Sequence, residues 1–379
     1  MDFIKCLILL KNKQALKNNN LKLRQMKRFT FLTFLTAAFL FSVLVITSCT
    51  KEGAAGKDGV DGAVGPAGPR GEAGVDGTDG TAGCVLCHTG GEEQGMFAQV
   101  NQWEHSVHAT GGNFERNNSC GVCHTSQGFL ANLAGTFDGL VENPNPINCY
   151  TCHNIHKTFT PADLALTTTA TVELMVGGDV VDFGKGNLCA TCHQARTISN
   201  APVIDGPDYK ITSNRFGGHH GPQANILAGN GLYEFSGTEG LGINTHANFV
   251  EDACVTCHMA AAYGTQAGGH TMKMGYDYHG TLEKNLAGCL DCHTDATELE
   301  TIWDETQEEV EALIIELRTI LTEKGVYNPA DGLAKPGTYK ANYAAAYINY
   351  QLIEEDRSKG VHNPGYVIGI LKNTIAKIK

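Results

Sequence analysis

Twelve of the fourteen cysteines in this 379-residue chain fall into six copies of one five-residue pattern, CxxCH. The copies are Cys84-Val-Leu-Cys87-His88, Cys120-Gly-Val-Cys123-His124, Cys149-Tyr-Thr-Cys152-His153, Cys189-Ala-Thr-Cys192-His193, Cys254-Val-Thr-Cys257-His258 and Cys289-Leu-Asp-Cys292-His293. Two thiols at this spacing reach the two vinyl groups of one porphyrin, and the histidine that follows is placed to ligate its iron; this is the attachment signature of c-type haem. Zinc sites also use CxxC pairs, but zinc ligation does not require a histidine after every second cysteine. Redox CxxC motifs are normally single, and a disulfide scaffold fixes no histidine at all. Six of six, with no cysteine left over beyond position 84, leaves haem attachment as the reading.

Six covalent haems dictate what the polypeptide can be. Residues 84–379 allow about 49 residues per haem, so the porphyrins supply most of the apolar core. The expected fold is mainly α, with extensive irregular coil wrapped around six haems and little regular structure before residue 296. Cysteine-to-cysteine intervals of 36, 29, 40, 65 and 35 residues are too uneven for a solenoid. Helical periodicity emerges in the tail, where Leu299, Ile302, Val310, Leu313, Ile314, Leu317, Ile320 and Leu321 share a face and Gly325 lies past the end. A second helix is predicted over 341–357, and a third with Asn363 as N-cap and Pro364 at N1.

The N-terminal part reads as processing and tether. Phe29–Thr47 is an uncharged apolar run behind Met26-Lys27-Arg28, the layout of an export signal. It ends at Ile46-Thr47-Ser48-Cys49, which resembles a bacterial lipobox and makes Cys49 the expected lipidation site. The competing reading is an uncleaved span, since 19 residues just suffice to cross a bilayer. Residues 1–25 then read as an upstream extension and 26–48 as the signal. Residues 49–83 form a spacer with glycine at every third position from Gly53 to Gly83. That period is collagen-like; in so short and proline-poor a run it reads as a tether ahead of a trimerising stalk, and leaves a homo-oligomer open. The haem-binding region is 84–296, with 297–379 as the helical part of the same domain. From Cys49 onward 20 basic residues face 39 acidic ones; a net charge of −19 argues against nucleic acid as a partner, because phosphate binding needs clustered Lys and Arg.

Each of six irons has a second axial position, and nine histidines lie outside the motifs: His105, His108, His156, His219, His220, His246, His270, His279 and His362. Full bis-His coordination is therefore attainable. Methionine would raise the potential, but Met96, Met175, Met259, Met272 and Met274 show no pattern that competes with nine histidines. Low-potential bis-His haems are expected.

Several of these histidines sit in segments that resemble known multihaem cytochromes. Trp103-Glu-His-Ser-Val-His108-Ala109 is similar to a WxxSxHA motif whose last histidine is a distal ligand, which favours His108 over His105. Cys152-His153-Asn-Ile-His156 is a CxxCHxxH. Cys257-His258-Met259 followed by Gly269-His270-Thr271 resembles the CxxCHM…GHT pattern of the family that includes cytochrome c nitrite reductase and cytochrome c-554. Gly360-Val-His362-Asn-Pro364 resembles a histidine turn between long helices in that family. The resemblance spans residues 84–379 and implies His108, His156, His270 and His362 as distal ligands; His219, His220 and His246 are added because they precede a CxxCH on Gly-rich or polar loops.

Two functional classes follow. One is an electron carrier in which two ligands close every iron. The other is a reductase or oxidase of small nitrogen or sulfur compounds, which needs one iron with an open face. Nitrite reductases of the resembled family carry a CxxCK, and none exists here, so no catalytic residue is assigned and the carrier is preferred. A haem store is a weaker third reading, since covalent attachment commits the cofactor. The lipobox, with Thr50 after Cys49, implies an exported outer-membrane lipoprotein facing the periplasm or cell surface. Its expected partners are other cytochromes or quinol-oxidising membrane complexes.

Overall fold

Three helices near the C-terminus carry the apolar core: α1 (Ala296–Glu323), α2 (Ala341–Asp356) and α3 (Pro364–Ile378). The computed structural model describes residues 96–242 and 245–379. The first CxxCH, Cys49 and the Gly-X-Y run lie outside them. The start of α1 follows from Asp295, whose carboxylate accepts the Thr297 and Glu298 amides at 2.9 and 3.1 Å and so satisfies two donors that a first turn otherwise leaves unpaired. Val310, Ile314, Leu317 and Leu321 recur on one face and are fully buried, whereas Ile302, expected on that face, is exposed. Leu299, one turn earlier, is buried, so burial along this face is interrupted at Ile302. The helix ends before Gly325, whose φ of +77° favours a residue without Cβ.

α2 is buried nearly all round, a pattern that belongs inside a core rather than on a surface. Its Ala344-Ala345-Ala346 run lets neighbours approach closely, and Tyr347 and Tyr350 fill the space beyond. Arg357, at φ +62°, ends it. α3 starts as the sequence predicts: the Asn363 side chain accepts the Tyr366 amide at 3.2 Å and Pro364 occupies N1.

Before residue 296 the described chain holds only short helices, such as Met96–Glu104, Ser126–Leu133 and Gln223–Ala228, and small two-stranded pairings. Buried amides strap this coil to the tail. Asn349 exchanges two hydrogen bonds of 2.7 Å with the Tyr233 backbone, Asn363 donates to the Ile226 carbonyl at 3.1 Å, and Asn373 joins the Glu239 amide and carbonyl. Coil without a ladder must satisfy its backbone in this way.

The coil also lies close against α3. A Cβ on Gly369 would stand 2.6 Å from the Gly240 oxygen. Gly369→Ala is therefore expected to destabilise the fold by about 1–3 kcal/mol, the usual cost of overpacking. Denaturant unfolding measures it; an unchanged midpoint would show that residues 240–242 move aside freely.

Candidate haem-binding site

Each described motif winds into a single helical turn. The histidine amide donates to the carbonyl of the first cysteine in four of them: His124 to Cys120 at 3.1 Å, and His153, His193 and His293 to Cys149, Cys189 and Cys289 at 2.9 Å. The fifth lies within the Cys254–His258 helix. Positions i, i+3 and i+4 of a turn share one face, so both thiols and the imidazole point to the same side. A capping box fixes the turn at Cys149, where the Asn148 and Thr151 side chains each bind the other's backbone.

Opposite each of these five histidines stands a second imidazole. Ring centroids are 6.0 Å apart for His124–His219, 6.1 Å for His108–His193 and His258–His362, 6.2 Å for His153–His270 and 6.4 Å for His246–His293. Two imidazoles bound to one metal at about 2 Å, with ring centres ~1.1 Å from each nitrogen for bonds of about 1.33 Å, stand roughly 6 Å apart. The spacing suits a six-coordinate iron between each pair.

The Nδ1 contacts of the rings fix which nitrogen is free to ligate. His153, His246 and His258 reach the carbonyls of Leu164, Val361 and Met272 at 2.7, 3.1 and 2.9 Å. A carbonyl only accepts, so Nδ1 carries the proton and Nε2 keeps its lone pair for a metal. His193 donates to Gln223 Oε1 at 3.2 Å, and that amide is oriented because its Nε2 donates to the carbonyls of Glu355 and Asp356. His108 meets the Met272 sulfur at 3.1 Å. His362 meets the Asp356 carboxylate at 2.7 Å.

Burial keeps most of these rings neutral, which is the ligating form. It pushes His108 down to about 4, helped by the facing His193. It also lowers His124, His193, His219, His246, His258 and His270. His362 differs: burial opposes its charge, but Asp356 outweighs burial and raises its pKa. Among the described cysteines, burial pushes the Cys152 and Cys257 thiols up to about 11.

The remaining predicted histidines sit elsewhere. His105, just past the helix Met96–Glu104, bonds the Asn101 carbonyl of that helix at 2.8 Å and is exposed. Of the adjacent pair, His219 faces His124, while His220 turns to Glu355 at 2.7 Å. His156, at φ +58°, is held by the Tyr150 hydroxyl at 3.0 Å and stacked on Phe159. His279 caps a hairpin against Tyr278. Sequence reasoning missed the groups that hold the rings, Asp356, Met272 and Gln223; an acid six residues before His362 was the one available signal.

The motifs themselves adjoin. Arg196, three residues past His193, donates to Cys123 Sγ at 2.9 Å, and Cys123 and Cys192 are side-chain partners. Cys189 pairs likewise with Cys254. Gly186 lies where a Cβ would meet Cys254 Sγ at 3.2 Å, and Lys185 binds Asp252 at 2.5 Å. Gly288 packs on Thr256 and Cys257. The Cys152 thiol acts electrostatically on both Cys189 and Cys192.

No family model matches the chain, and no curated protein matches it. Among solved structures it is similar to one described as the outer cell wall cytochrome OcwA, at 19% identity and a TM-score of 0.48. The match covers 74% of this chain and 50% of that one, so the chain spans about half the length of that structure.

Proposed function

We propose that the chain is an exported hexahaem c-type cytochrome that transfers electrons through bis-His haems. The observation that carries this reading is the set of five imidazole pairs 6.0–6.4 Å apart, each including one CxxCH histidine. When bound, haem c supplies a one-electron iron couple. The chain's part is to hold both axial faces with neutral imidazoles, fix their rings through Nδ1 and keep water from the metal. Each described motif histidine faces a second imidazole, which favours the carrier over a reductase with an open iron.

For the first motif, His88 is the proximal ligand and His156 the distal one in this reading. Tyr150 and Phe159 already hold the His156 ring. His220, engaged by Glu355, is not needed as a ligand. The cysteine contacts make the Cys189/Cys192 haem a hub, meeting those at Cys120/Cys123, Cys149/Cys152 and Cys254/Cys257, with the Cys289/Cys292 haem beyond the last. Lipidation at Cys49 and the Gly-X-Y tether would hold this wire at the outer membrane, within reach of other cytochromes or quinol-oxidising complexes.

Intact-mass analysis of the exported protein tests attachment: six haems are expected, and five after Cys149 and Cys152 are both replaced by Ala. Fewer than six in the fully matured protein contradicts the reading. Labelled fatty acid should appear on Cys49; a Cys49→Ala protein that stays membrane-bound at its original size would make the apolar run a simple anchor.

A further inference from the structure

Four of the five paired sites show what accepts the hydrogen bond from a ligand ring, and they differ. Backbone carbonyls serve His153, His246 and His258, an amide oxygen serves His193, and a thioether sulfur serves His108. Only His362 has a carboxylate, Asp356, among the bonds described for these rings. That carboxylate is 2% exposed. Ser358 Oγ binds its second oxygen, and the His362 amide donates to the same hydroxyl at 3.3 Å.

The turn is built to hold this pair. Arg357, Lys359 and Gly360 all have positive φ, at 62°, 49° and 94°. Gln307 of α1 donates to the Ser358 carbonyl at 3.1 Å, and a Cβ on Gly360 would meet Val310 at 2.8 Å. Non-glycine residues in the left-handed region carry a conformational cost that the surroundings must offset. Here they bring an acid from the end of α2 against a ring ahead of α3.

We infer that Asp356 is a positioning residue that makes the haem between His258 and His362 the lowest-potential haem of the five described pairs. The inference rests on the bis-His reading above. A carboxylate accepting from Nδ1 raises the basicity of the ligating nitrogen. A more basic ligand and a nearby buried negative charge both stabilise ferric iron over ferrous, and hydrogen bonding around the ligands is one of the levers that sets a haem potential. The thioether on His108 is a weak acceptor, so that ring gains little of this effect. No bond breaks and no proton leaves the pair; one electron enters or departs the iron while Asp356 continues to accept.

Potentiometric titration of the haem-loaded protein tests this, with Asp356→Asn as the variant. Asparagine keeps the shape and an acceptor oxygen but removes the charge. The potential of the lowest component among the five should rise by ~59 mV, a tenfold fall in its oxidised-to-reduced ratio at a given solution potential for a one-electron couple, with the haems still low spin. A His362→Met protein should move the same component, because it removes the ring that Asp356 acts on. If Asp356→Asn shifts a component that is not the lowest, or shifts none, the inference is overturned. If that variant does not load haem, His362→Met decides alone: a lowest component left in place overturns it. Failure of the haem reading itself appears separately, as missing covalent haem in intact-mass analysis.

Discussion

Replacing His108 with alanine is expected to convert one ferric haem of six from low to high spin. The ring it removes faces His193 at 6.1 Å, is half-buried, and is held through Nδ1 by Met272. Truncation leaves an imidazole-shaped space on the distal side, open to water or to added imidazole, so free imidazole should restore the low-spin spectrum. His105→Ala supplies the control from three residues away: its ring is spent on the helix before it and is exposed, and the spectrum should not change. Optical and electron paramagnetic resonance spectra report both. High spin in the His105 variant and not in the His108 variant would reverse the assignment.

The second large effect concerns connectivity. Replacing Cys189 and Cys192 together with alanine should remove one haem and separate the electron path into disconnected parts. Motif 4 is where the others meet, through Cys123–Cys192, Cys189–Cys254 and the electrostatic action of Cys152 on Cys189 and Cys192. Flash reduction should then no longer equilibrate between the Cys120/Cys123 haem and the Cys254/Cys257 haem. Replacing Cys149 and Cys152 also removes one haem, but as a branch, and equilibration among the rest should persist. In a wire that follows sequence order, both pairs of substitutions would interrupt transfer alike. Equal loss in the two variants would therefore contradict the hub.

What the sequence disclosed depended on how local each determinant is. The CxxCH turn is contained in five residues, and the ends of α2 and α3 are marked by Asn363-Pro364 and by the return of polar residues after Ile353. Ligand pairing is another matter. His108 faces His193, His153 faces His270 and His258 faces His362, separations of 85, 117 and 104 residues. Such closures are set by how the whole coil wraps, and no short pattern records them. The choice between His219 and His220 was closed to sequence for a different reason. Neighbouring side chains diverge, and their directions depend on Gly217 at φ +133°, on Gly218 packed against Leu352, and on Glu355 reaching His220. Ile302 failed as a core residue although Leu299 before it and Val310 after it are buried, because periodicity gives a face of α1 and not which of its turns another segment covers.

The central claim is that protein imidazoles occupy both axial faces of every haem. Room-temperature optical spectroscopy of the unmodified ferric protein, calibrated against six haems per chain and repeated with nitrite or hydroxylamine, tests it most directly. The expected spectrum is low spin throughout and unchanged by either compound, because no axial position is left for them. A high-spin haem that binds nitrite or hydroxylamine and turns it over would show an open iron, and the chain would then be an enzyme rather than a wire.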